Sequence, residues 1–239
     1  EILRCLVGSE MCIRDRYNDE IIIDDFASAT AIRKMIATGQ FEEIQKVMPK
    51  SSYALLADEL RRGHYVLDLS KFQKEIIYNL RKMKVGDIAQ LADVSEGLEN
   101  AIKNAANSCN NVVDFVNIVK CKRYTQTRIQ RILIYALLGI TSEKMMTSKK
   151  TTPYARILGF NEKGKKLISQ IVKHNKRAQI VTSVKKYMDE SKNKALKEML
   201  ETDIFATNVY TLGYESDSWS NLDLSLIHIS EPTRHLRIS

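Results

Sequence analysis

Between Ser28 and Leu138 one pattern repeats: a small polar residue, apolar residues three or four apart, then a glycine or a proline. That spacing lays one apolar stripe along each segment with the period of a helix. Short amphipathic helices bury their stripes only against one another, so the chain is expected to be mainly α. Ser28 or Thr30 can cap a helix that runs to Thr38 and stops at Gly39. Phe41 to Val47 is a short helix ending before Pro49. Ser51 or Ser52 caps a helix to about Arg62, which Gly63 ends. Ser70 caps the next, with Phe72, Ile76, Ile77 and Leu80 as its buried stripe. Ile88 to Ala92, Leu98 to Ala106 and Val112 to Val119 follow, and Thr125 to Leu138 is closed by Gly139. Only 3 Pro and 9 Gly leave too few turn formers for a loop-rich or all-β chain, and 44% hydrophobic residues suffice for a packed core.

Outside that stretch the pattern changes. Tyr17 to Phe26, with Ile21, Ile22 and Ile23, reads as one strand entering a loop. Pro153 and its threonines mark a boundary. Glu162 to His174 is helical, Gln179 to Val184 a strand, and Ser191 to Leu200 a helix. Glu201 to Asp223 reads as an irregular acidic tail.

Both ends look foreign. Residues 6 to 16 read LVGSEMCIRDR and residues 224 to 234 read LSLIHISEPTR. The second back-translates into a transposon-based sequencing adapter, the first into the reverse complement of the same strand. Residues 1–16 and 224–239 are therefore expected to be adapter-derived. The remaining segment, Tyr17 to Asp223, is expected to be an internal piece of a longer protein. It keeps 32 bases and 25 acids, a net charge of +7, so the basic character is its own. Its cysteines are Cys109 and Cys121, with no CxxC spacing; a reducing cytoplasm fits, and no metal ligands are expected.

Charge is uneven along the chain. Residues 17 to 114 are net −3, residues 115 to 140 hold five bases and no acid, and residues 141 to 200 hold 15 bases against 5 acids. Such a concentration suits a polyanion, because binding phosphates releases their counterions. Lys122, Arg123, Tyr124, Arg128 and Arg131 gather in the first of these basic stretches. At about 100° per residue, Tyr124, Arg128, Arg131 and Tyr135 fall within about 60° of one another on a helix. Guanidinium groups bind phosphate, and tyrosines stack on bases. The alternative is that these arginines cap carbonyls or pair with acids such as Asp114. Ser28, Thr30, Arg33 and Lys34 form a second group, at a helix start where free N–H groups and hydroxyls favour phosphate. A complete catalytic set is not visible: Arg61 stands where an HxGH motif ending at His64 would need its first histidine. His64 and His174 read as ordinary surface or core residues.

These strings converge on one resemblance. SATAIRK (Ser28 to Lys34) resembles the ISSTxIR-type signature of adenylyl-transferring nucleotidyltransferases. EGLEN (Glu96 to Asn100), KRYTQTRIQRIL (Lys122 to Leu133) and YARILGFNEKG (Tyr154 to Gly164) resemble the bacterial tRNA(Met) cytidine acetate ligase family, over essentially all of Ser28 to Gly213. The resemblance implies an ATP-dependent ligase, with Mg, that activates acetate as acetyl-adenylate and acetylates the wobble cytidine of elongator methionine tRNA. It implies the helical C-terminal region of an α/β nucleotidyltransferase-type enzyme, with a remnant strand near the N-terminus. Residues 17–39 would close the ATP-binding domain, 40–150 form a helical domain, and 151–223 a basic C-terminal subdomain. Arg33 matches the ATP-contacting arginine of the signature, with Lys34 beside it and Ser28 and Thr30 near the phosphates. Lys122, Arg123, Tyr124, Arg128 and Arg131 are the expected tRNA contacts. The family's HxGH-type loop is not found in the sequence, so the polypeptide is expected to be inactive alone. A non-catalytic helical RNA-binding module is the alternative from another class. A nucleotidyltransferase acting on a small molecule is a third, which the extended basic stretch argues against.

Overall fold

A computed structural model describes residues 27–216 except 96, 153, 158–159 and 175–178. The strand expected from Tyr17 to Phe26 and both foreign-looking ends lie outside the described residues. The chain divides into two compact units. One holds the chain up to Asp68 together with Tyr214–Ser216; the other holds Leu69–Gly213.

The first unit contains α1 (Ala29–Ala37), α2 (Phe41–Lys46) and α3 (Lys50–Arg62). Ser28 caps α1 as expected, its Oγ accepting from the Ala31 N–H at 3.1 Å. Ala31 and Met35, one turn apart, pack on fully buried Ile44 and on Val47. The cap of α3 is Pro49, not Ser51 or Ser52, which lie inside its first turn. Proline suits that place because the helix start needs no N–H there. Gly63 ends α3 at φ +74, and its carbonyl accepts from the Glu215 N–H at 2.9 Å.

The second unit opens with a 3-10 turn at Leu69–Phe72, so Ser70 sits inside that turn instead of capping a helix. Then come α4 (Gln73–Lys82), α5 (Val85–Ala89), α6 (Leu98–Ser108), α7 (Val112–Val119) and α8 (Gln126–Leu138). The expected stripe of Phe72, Ile76, Ile77 and Leu80 is buried throughout. α4 packs on α6 and α8, and Leu98, Ile102, Phe115, Ile129, Ile132 and Leu133 close the core between the helices. α5 starts three residues before the expected Ile88. Asp87 accepts from the Lys84 N–H at 2.9 Å and draws the start upstream. Two helix ends are closed by basic side chains. Lys103 donates to the carbonyls of Leu80, Arg81 and Met83 at the end of α4. Arg81 donates to those of Ala106 and Cys109 at the end of α6.

The unit ends with α9 (Ser142–Lys150), β1 (Tyr154–Arg156), α10 (Glu162–His174), β2 (Gln179–Val181), α11 (Val184–Glu190) and α12 (Lys194–Thr211). β1 and β2 pair in parallel, Tyr154 opposite Gln179 and Arg156 opposite Val181. Val181, Val184, Leu196 and Leu200 make a second small core under them. The start of the tail expected from Glu201 is helical, since α12 continues to Thr211. Leu196, Leu200 and Ile204, each one turn after the last, carry its apolar stripe through the acidic residues. No helix among the described residues is long and apolar enough to cross a membrane.

Candidate nucleotide and nucleic-acid sites

In the first unit the Ser28 group sits at the start of α1. Ala31 and Met35 point into the core, which turns Arg33 to the opposite side of the helix, exposed. The Ala27 N–H donates to the Val47 carbonyl and pins the entry to the helix. Ser28 Oγ is engaged in the cap, and Thr30 and Lys34 also have partners within the protein. Arg33 makes no hydrogen bond or ion pair among the described residues, so it is the cation this group can offer an anion.

In the second unit Lys122 and Arg123 form the tip of a tight turn. The Cys121 N–H donates to the Tyr124 carbonyl at 3.3 Å, and the Tyr124 N–H to the Cys121 carbonyl at 3.1 Å. Tyr124 stands before the helix, not on it, because Thr125 is the cap: its Oγ1 accepts from the Arg128 N–H. Tyr124 still meets the arginines, with the Arg128 guanidinium 5.4 Å and the Arg123 guanidinium 5.8 Å from its ring centre.

Arg128 and Arg131 are occupied within the protein. Arg128 donates to the Asp93 carbonyl from Nε at 3.1 Å and from Nη2 at 2.7 Å, and to Ser95 Oγ at 2.9 Å. Arg131 pairs with the Asp93 carboxylate at 3.0 Å. The expected acid, Asp114, is held elsewhere, closing the start of α7 with Asn111. Asp93 is the non-glycine residue with positive φ among the described residues, at +64. A side chain in that region costs about 1–2 kcal/mol. The two arginines hold the loop in this conformation. Lys122 and Arg123 remain exposed at the turn.

The histidines do structural work. His64 bonds Glu59 at 3.0 Å and stacks on Tyr214, and His174 meets the Gln170 carbonyl. Among the described residues no group of three or more His, Cys, Asp or Glu side chains could hold a metal ion.

Residues 13–223 match the model of the family described as HIGH Nucleotidyl Transferase. The chain is 39% identical over 200 residues to the tRNA(Met) cytidine acetate ligase of Thermoanaerobacter pseudethanolicus, covering 83% of this chain and 48% of that one. It is 39% identical over 215 residues to the protein of the same name from Acetivibrio thermocellus, covering 87% and 51%. Among solved structures it resembles Thermotoga maritima TmcAL in its apo form, with TM-score 0.81 and 28% identity over 87% of this chain and 52% of that one. The same protein bound with alpha-thio ATP gives TM-score 0.78 and 28% identity, over 85% and 51%. The chain thus spans about half the length of the curated relatives it matches.

Proposed function

The chain belongs to the HIGH nucleotidyl transferase family, and from that premise we propose that it is part of an ATP-dependent ligase acting on methionine tRNA. In this reading the carboxylate of acetate attacks the α-phosphorus of ATP and pyrophosphate leaves. The exocyclic amine of the wobble cytidine then attacks the acetyl carbonyl, and AMP leaves. The nucleotide half of the reading is carried by one observation: a structural neighbour at TM-score 0.78 binds an ATP analogue. Arg33, with Lys34, Ser28 and Thr30 around it, is the group this chain brings to the phosphates. Mg would come with the triphosphate as its counter-ion. The tRNA half is supported by the relatives' names and by the basic turn. Lys122, Arg123 and Tyr124 are the direct contacts, and Arg128 and Arg131 act on RNA through the Asp93 loop they hold. A non-catalytic RNA-binding module is the less favoured reading, because the family match points to nucleotide chemistry.

In this reading the 239-residue polypeptide lacks the HxGH-type loop and does not form acetyl-adenylate by itself. The test is acetate-dependent exchange of labelled pyrophosphate into ATP, run beside tRNA binding. Binding of methionine tRNA without exchange is the expected result. Exchange above background would overturn the inactivity, and no tRNA binding would overturn the substrate.

A further inference from the structure

β1 and β2 run parallel, so both strands end at one edge of the pair, Arg156 beside Val181. α10 lies in the crossover and must travel back along the strands to deliver the chain to the start of β2. It therefore begins at the carboxyl edge of the pair. α11 begins at the same edge, directly after β2. The first five residues of α10 carry Lys163, Lys165 and Lys166, and the first three of α11 carry Lys185 and Lys186. All five are exposed. None of the five ammonium groups makes a hydrogen bond or an ion pair among the described residues. Glu162 is the acid in the sequence of α10, and Asp189 and Glu190 follow Lys185 and Lys186 by one helical turn on α11.

Several basic side chains of this unit have internal work. Lys103 and Arg81 close helix ends, and Arg131 holds Asp93. The five lysines do nothing of the kind, and their mutual repulsion opposes folding. A polyanion laid across the edge reverses the sign of that repulsion. Lysine suits a phosphate backbone, because a flexible point charge needs no fixed orientation of its acceptor.

We propose that the lysine edge of the β1–β2 pair binds the sugar–phosphate backbone of RNA. The proposal rests on the tRNA reading above and adds a place where the chain grips its substrate, separate from the Lys122–Tyr124 turn. A membrane surface is the competing partner, since α10 also exposes Leu167, Ile171 and Val172. Insertion of that apolar arc would not call on Lys185 and Lys186, which belong to another helix. An RNA backbone following the edge uses both helices.

The experiment measures binding of the full chain to a labelled methionine tRNA transcript across a salt titration. The variant is K163Q/K165Q/K166Q/K185Q/K186Q. With three of the five lysines on phosphates, the slope of log affinity against log salt falls by about 2, and affinity at about 0.1 M salt falls at least tenfold. K185Q/K186Q alone lowers both, by less. K46Q/K74Q/K82Q, which removes exposed lysines elsewhere, leaves the slope unchanged. Replacing the five lysines by arginine keeps the slope and shows that the fold is intact.

An unchanged slope in the glutamine variant overturns the proposal. So does loss of binding in the arginine version, or tighter binding of the chain to phosphatidylcholine–phosphatidylserine vesicles than to tRNA with K185Q/K186Q silent. If the unmodified chain binds no tRNA, the substrate reading falls and the edge falls with it. If it binds and the glutamine variant binds equally, the edge alone is wrong.

Discussion

Replacing Arg128 separates a structural role from a nucleic-acid role. Its guanidinium donates two hydrogen bonds to the Asp93 carbonyl and one to Ser95 Oγ. Hydrogen bonds from a charged donor contribute about 1.5–3 kcal/mol each when well buried. Here two share one acceptor and the site is half-exposed, so solvent screens them and the set is worth about 2 kcal/mol. Without the clamp, the left-handed conformation of Asp93 loses its main support. Arg128→Ala therefore destabilises the second unit by about 2 kcal/mol, or roughly 4–8 °C in melting temperature for a domain of this size. Arg128→Lys recovers less than half, because an ammonium cannot make the forked contact. Lys122→Ala, at an exposed turn tip, stays within about 0.5 kcal/mol. Urea unfolding followed by circular dichroism measures all three, with tRNA affinity recorded in parallel. If Arg128→Ala leaves stability within about 0.5 kcal/mol yet weakens tRNA binding tenfold, the clamp is refuted and the arginine is a direct RNA contact.

The other expectations are narrower. Ser28→Ala removes the cap of α1 and costs the first unit about 1 kcal/mol, seen as a lower urea midpoint, while Ser28→Asp restores most of it. Lys103→Met leaves three carbonyls at the end of α4 without their donor, for about 2 kcal/mol by the same measurement. Burial pushes the Cys109 thiol above its ordinary range, against a smaller lowering by the Asn111 backbone and Arg81. Its folded form therefore favours the neutral thiol. That contribution is complete below the ordinary thiol range and disappears as pH rises through the raised one. Exposed Cys121 reacts first with iodoacetamide at mildly alkaline pH, and Cys109 reacts only on unfolding, as peptide mapping would show.

Helices with strong local signals were legible residue by residue. Val112–Val119 and Glu162–His174 carry both their bounds in the sequence, and Ser28, Gly39, Gly63 and Gly139 end or start helices as glycine and capping serine do. These signals act within one turn of backbone, so one segment suffices to read them. Ser142–Lys150 left no comparable trace, because its apolar residues, Met145 and Met146, are adjacent instead of one turn apart. β1 was hidden for a different reason. Three residues become a strand only when a partner arrives, and β2 lies a whole helix further along the chain. The site divides the same way. That Arg33 faces outward follows from the period of α1 alone. That Arg128 holds a carbonyl does not, since Asp93 stands 35 residues away and no local rule pairs them. Packing of α8 on the helices around it chose that partner. A guanidinium meets whichever acceptor the tertiary fold brings to it, and one-dimensional spacing records only that the guanidinium is there.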